Sequence, residues 1–248
     1  MPHTAFGVEP NRRATYELRQ SRYQNLGKVV ADAADAIWQE SGNRVRLLDV
    51  GTFDGVSRRY IEAYPIGDKI DFEAVDLYPY GKEYVYKHDQ WTHHEIDLLN
   101  GMPQLESNSY DIVICEQVLE HLTDVVPTIQ DLVRVVKPGG TLMVGVPIFP
   151  DGAHWIRKYA VPVLDRLFKT KKVRGHVQAW SKRTFIKQWS DFDSIDIQET
   201  RGFRIVSGGI LRPLEFTKTW WKINRAIGAA MPGLCTEIQF VGRKTEAA

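Results

Sequence analysis

Between residues 45 and 64 the hydrophobic pattern changes period within a few residues, and no other feature of this 248-residue chain restricts its fold as much. Val45-Arg46-Leu47-Leu48-Asp49-Val50 is a short β-type run ending in Gly51. Residues 57–64 then follow with helical spacing and are stopped by Pro65. The alternation recurs downstream. Strands are expected at 72–77, 95–98, 110–115 and 141–146, helices at 117–122 and 128–136, and a turn at Lys137-Pro138-Gly139-Gly140. Such alternation implies right-handed βαβ units and a parallel sheet covered on both faces.

The flanks are patterned differently. Residues 14–40 carry apolar side chains, Tyr16 and Tyr23 among them, at helical spacing, and Gly27 is expected to divide the stretch into two helices. Residues 147–181 are interrupted by Pro147, Pro150 and Pro162 and read as an insertion. Ser181 stands as an N-cap before Phe185, Ile186 and Trp189. A strand at 203–206, a second insertion at 211–233 and a final strand at 235–242 complete the pattern. With no room for a crossover, that final strand is expected to run antiparallel to its predecessor. The chain thus reads as one domain, 1–248: a helical cap at 1–43, a core at 44–146, and insertions at 147–181 and 211–233 bordering the site.

Basic and acidic residues nearly cancel, 32 against 31, so no global field draws the protein to a polyanion. Cys115 and Cys235 lack metal-ligand spacing and are expected to be reduced and buried; His88, His93 and His94 read as solvated, and no metal site is expected. The N-terminus has no signal-peptide core and no segment has the apolar length of a membrane span, so the expected location is cytoplasmic.

The chemistry concentrates in Asp49-Val50-Gly51-Thr52-Phe53-Asp54-Gly55. A glycine turn between strand and helix lets backbone approach a ligand, but Phe53 occupies the position where a dinucleotide fingerprint needs its middle glycine. Asp49 would repel a pyrophosphate and suits an ammonium. Asp76 ends the next strand, where a carboxylate can accept both hydroxyls of a ribose. Asp97, in His94-Glu95-Ile96-Asp97-Leu98-Leu99, can accept an adenine amino proton between apolar neighbours. Three acids at the ends of consecutive parallel strands face one crevice.

With these motifs the sequence resembles the class I S-adenosylmethionine-dependent methyltransferases of the UbiE/UbiG-like and type 11 or 23 kind. DVGTFDG matches their glycine-rich motif, AVDLYP their ribose acid, IDLLNGMP their adenine acid, YDIVICEQVLEHL their fourth strand and helix, and KPGG their turn into the fifth strand. The resemblance implies a Rossmann-like, doubly wound, mostly parallel seven-stranded sheet with an antiparallel last strand and helices on both faces. It implies S-adenosyl-L-methionine as cofactor, with Asp49, Gly51 and Gly55 at its methionine end, Asp76 on the ribose and Leu77 against the adenine. Asp97 and Leu98 would take the adenine edge, and Glu116 would stand near the sulfonium and the acceptor. Glu120-His121 reads as a structural helix element.

A hydroxyl acceptor needs a base, for which His176 and His154 in the first insertion are the candidates. Residues 157–187 hold ten basic side chains and one acid, interleaved with aromatics, which suits an anionic small-molecule, glycan or lipid-linked acceptor, or a peripheral contact with the inner face of an anionic membrane. A non-catalytic cofactor-binding relative and an RNA methyltransferase stay open as alternatives. Nucleic acid is disfavoured by the net charge, and methylation of base amino groups by the absence of an Asn-Pro-Pro-Tyr-type sequence after the fourth strand, where Cys115-Glu116-Gln117-Val118 stands.

Overall fold

A computed structural model describes residues 17–155, 177–192, 194–205 and 209–245. Helix α1 (Glu17–Ser41) is followed by β1 (Val45–Val50), α2 (Val56–Ile61), β2 (Ile70–Asp76), β3 (Thr92–Glu95), β4 (Tyr110–Glu116), α3 (Val126–Val135) and β5 (Val136–Pro147). After one helical turn at Ala153–Trp155 come α4 (Lys182–Trp189), β6 (Ile195–Phe203), α5 (Lys218–Ala230) and β7 (Glu237–Lys244). The sheet order is β3-β2-β1-β4-β5-β7-β6. Every pairing is parallel except those of β7, which runs antiparallel to both β5 and β6. The expected seven-stranded Rossmann-like sheet and its antiparallel last strand are both present.

Each face of the sheet buries its own cluster. On one side Leu26, Val30 and Ala34 of α1 pack with Leu47, Ile112 and Ile114 of the central strands. On the other, Ile129, Leu132 and Val133 of α3 join Phe185 and Trp189 of α4 over Phe240, whose ring meets Trp189 at 4.7 Å in a T-shaped pair. Ser181 caps α4 in a full capping box with Thr184. Both cysteines are free and buried.

Several boundaries depart from the expectation, each for a local reason. Gly27 does not divide α1, which is continuous; a Cβ there would lie 2.5 Å from the Tyr60 carbonyl oxygen, so the glycine lets α1 seat against the end of α2. The third strand is Thr92–Glu95, ahead of the expected 95–98, and its polar residues are satisfied locally: His94 hydrogen-bonds Glu73, and His93 bonds the Tyr78 hydroxyl. The sixth strand is Ile195–Phe203 rather than 203–206, of which residue 206 lies outside the described residues. It is an edge strand with an exposed polar face, and its apolar alternation is weak. The expected helix at 117–122 is a single 3-10 turn, Leu119–His121, after Gln117 in left-handed conformation (φ 59°). The turn at 137–140 survives as an irregularity inside β5, with Gly139 at φ 73° and a register shift between Tyr110 and Ile112.

Candidate cofactor site

The carboxyl ends of β1, β2 and β4 open on one edge of the sheet, where a cavity of about 470 Å³ lies between them, α1 and the loop after β4. Asp49, Gly51, Asp76, Leu77, Asp97, Leu98 and Glu116 all line it. Gly55 does not; at φ 71° it forms the N-cap of α2, with the Tyr86 backbone 3.0 Å from where a Cβ would stand. The sequence signal for Gly55 was therefore one of turn geometry. His176 and the side chain of His154 lie outside the described residues, as does most of the basic stretch at 157–187.

The turn after β1 is built on Gly51 and held by Asp76. Gly51 has φ 76°, and a Cβ on it would meet Val118 Cγ2 at 2.1 Å, so only glycine allows the loop after β4 to close against it. Asp76 Oδ2 accepts the Phe53 N–H at 2.7 Å, and its Oδ1 accepts the Leu77 N–H at 2.7 Å. Phe53 thereby holds a left-handed backbone (φ 48°) that glycine usually supplies, and its side chain is 60% exposed, so the departure from the glycine motif costs no packing. Asp97 caps the 3-10 turn Leu98–Asn100, accepting the Leu99 N–H at 3.0 Å.

Asp49 and Glu116 supply buried acid. The Asp49 carboxyl accepts a hydrogen bond from Ser57 Oγ; burial, with Asp76 and Glu116 nearby, pushes it up to about 7 despite that bond. Glu116 extends across β5 to β7: Gln239 Nε2 donates to its Oε2 at 2.8 Å, and a Cβ on the intervening Gly145 would collide with that oxygen. Arg22 of α1 ion-pairs Glu116 at 3.2 Å and also pairs with Glu237, which Arg204, just past the end of β6, holds as well. Burial raises Glu116 to about 7 against the pull of Arg22 and Gln239.

Residues that sequence reasoning missed complete the wall. Tyr23, Ser57, Gln117 and His121 line the cavity, so the Glu120-His121 pair read as structural contributes one side chain to the site. The apolar face of α1 signals a buried helix but not that Tyr23 lines the cavity or that Arg22 pairs with Glu116. Nothing local marks Gln239, which reaches Glu116 from 123 residues away.

A parallel sheet with acids at the ends of β1 and β2, a third acid following β3, and a glycine turn facing a helix defines a nucleotide-type cofactor fold. The family described as "Methyltransferase domain" matches residues 48–144. A rat protein named thiol S-methyltransferase TMT1B is 28% identical over 134 residues, which cover 52% of this chain and 51% of the relative, so the match spans about half the length of that curated relative. Among solved structures, a geranyl diphosphate methyltransferase bound to S-adenosylmethionine superposes with a TM-score of 0.59 at 10% identity, covering 97% of this chain and 92% of that one. The [4+2]-cyclase SpnF does so with a TM-score of 0.53 at 13% identity, covering 88% and 81%. Residues 48–144 are thus similar to the methyltransferase-domain family, and the chain has the fold of the solved class I S-adenosylmethionine-dependent methyltransferases. The cyclase shows that this architecture also carries other chemistry, so the acceptor must be argued from the site.

Proposed function

We propose that the chain transfers the methyl group of S-adenosylmethionine to a small-molecule, glycan or lipid-linked acceptor bearing a hydroxyl. The convergence of Asp49, Asp76, Asp97 and Glu116 on one cavity carries this reading. The residues fit the cofactor. Asp49 is a buried carboxyl whose one hydrogen-bond donor is Ser57 among the described residues, which suits a ligand ammonium; Asp76 faces the cavity where ribose hydroxyls would be accepted. Leu77, 55% exposed at the cavity edge, and Leu98 offer apolar surface to an adenine beside Asp97. The bound cofactor supplies an activated methyl on positive sulfur, and the chain's task is to hold the acceptor oxygen in line and to exclude water.

Methylation of a hydroxyl forms the O–CH₃ bond, leaves the electron pair on sulfur and releases one proton. His176 and His154 remain the proposed acceptors of that proton. The rat relative's name specifies a thiol, which releases a proton in the same way. Residues 1–43 and the insertions at 147–181 and 211–233 are proposed to border the acceptor, in a cytoplasmic protein able to meet the inner face of a membrane peripherally. No described helix is long and apolar enough to cross one. Calorimetry tests the reading: S-adenosylhomocysteine should bind at micromolar strength, and Asp76→Ala should weaken it by about 1–3 kcal/mol, as expected for hydrogen bonds lost to a buried polar ligand. Tighter binding of NAD than of S-adenosylhomocysteine would refute it.

A further inference from the structure

A second cavity, of about 160 Å³, lies between α1, the end of β6 and α5. None of its eleven lining residues is acidic, and nine carry a side-chain N–H or O–H donor. Its position follows from close packing. A Cβ on Gly228 would lie 2.0 Å from the Gly202 carbonyl oxygen, so α5 rests directly on β6, and Asn224 and Arg225, one turn earlier, come to stand over Arg201 and Arg204. Asn224 is buried with its amide committed to backbone: Oδ1 accepts the Ile205 N–H and Nδ2 donates to the Trp220 carbonyl, each at 2.8 Å. It fixes the wall and leaves the cations to meet a ligand.

Two of those cations have unused capacity. Arg201 donates from Nη1 to Asn25 Oδ1 at 3.1 Å and pairs its Nη2 with Glu199 at 3.0 Å, while its Nε is buried with no hydrogen-bond partner among the described residues. A buried donor of that kind is costly unless something accepts from it. Arg225 lies 4.9 Å over the Trp221 ring, and no carboxylate is within ion-pair distance of it among the described residues. Among the described residues Lys28 is engaged only in an exposed pair with Asp32, a contact of little worth that an anion can replace. Arg201 is also preorganised: Asn25 Nδ2 donates to Gln239 Oε1 at 3.1 Å, and Gln239 donates to Glu116 at 2.8 Å, one hydrogen-bonded row running from this cleft to the cofactor cavity.

We infer that the cleft between α1, β6 and α5 is a binding site for a phosphate-type anion, held by Arg201 and Arg225 with Lys28 at its rim. Guanidinium groups match phosphate oxygens in geometry as well as charge. The volume suits an anionic group and falls below that of a site for a whole drug-sized molecule. The site stands whether or not the methyltransferase reading holds.

Calorimetric titration of the full chain with inorganic phosphate and, separately, with glycerol phosphate tests it. Binding of either probe is expected, weakened at least about tenfold by Arg225→Glu and by Arg201→Glu, a loss of about 1.4 kcal/mol or more. The tighter probe tells a free anion from a phosphoryl group carried by a larger molecule. Lys218→Glu makes the same charge change on the same helix about two turns away and should leave binding unchanged. Should Arg201→Glu fail to fold, Arg225→Glu decides, because Arg225 is exposed and outside the hydrogen-bonded row. No binding by the wild-type chain, equal binding by Arg225→Glu, or an equal loss in Lys218→Glu would overturn the site. Titrating the same samples with S-adenosylhomocysteine separates this outcome from failure of the cofactor reading.

Discussion

Replacing Gly51 by alanine should destabilise the protein in a way that trimming Val118 partly repairs. The new Cβ would lie 2.1 Å from Val118 Cγ2 and 3.2 Å from both Val118 Cβ and Cγ1, at a residue whose φ is 76°. Two costs add: about 1–2 kcal/mol for holding an L-residue in the left-handed region, and about 1–3 kcal/mol for overpacking. Gly51→Ala alone should therefore lose about 2–5 kcal/mol. Val118→Ala alone removes two methyl groups from a half-buried side chain and should lose about 1–2 kcal/mol. In the double variant both Cγ atoms are gone and the nearest Val118 atom is 3.2 Å away, so the overpacking cost largely vanishes while the backbone cost stays. The two substitutions should then couple by about −1 to −3 kcal/mol. Urea unfolding of the four proteins, compared at a shared m value, measures this coupling. Additivity within about 0.5 kcal/mol would show that the loop after β4 does not close on Gly51 as described.

Two further outcomes follow from the buried acid and from the cap. Glu120 is 1% exposed, neither carboxylate oxygen has a hydrogen-bond partner among the described residues, and burial raises it to about 8. The folded state therefore keeps a proton that the unfolded chain releases, and stability is lost as pH rises through the window from about 4.5 to about 8. Glu120→Gln cannot ionise, so its stability relative to wild type should climb across that window and level off above it, by an amount on the order of a few kcal/mol; a difference independent of pH in thermal melts would refute the assignment. Ser181→Ala removes one half of the capping box of α4 and should cost about 1 kcal/mol, read as a lower urea midpoint with cofactor affinity unchanged.

The parts of the fold written locally were the parts the sequence made legible. Strands β1, β2, β4 and β5 are buried on both faces over most of their length, so apolar residues predominate in them and turn residues bound them, and the acids of the cavity sit at or just past their ends. Strands β3 and β6 were misplaced because an edge position lets polar side chains face solvent or pair locally, which blurs the period that marks a strand. The glycines taught a similar lesson. Gly51 is needed for its backbone angle and for clearance, whereas Gly27 is needed for clearance alone, in the middle of a helix whose local pattern cannot reveal a neighbour. The ring of Arg22, Glu116, Glu237 and Gln239 lay beyond reach because it joins α1, β4 and β7 only after the sheet has closed.

The placement of β7 has a consequence for how the protein is made. It slots between β5 and β6, two strands synthesised well before it, and hydrogen-bonds both along most of their length. Until residues 237–244 leave the ribosome, β5 presents a bare, strongly apolar edge, and β6 has no sheet to join. The nascent chain therefore carries an open sheet margin from the completion of β5 until β7 arrives, the state in which strand edges recruit one another into aggregates. Slowing translation ahead of β7 should therefore lower the soluble yield more than slowing it ahead of β2.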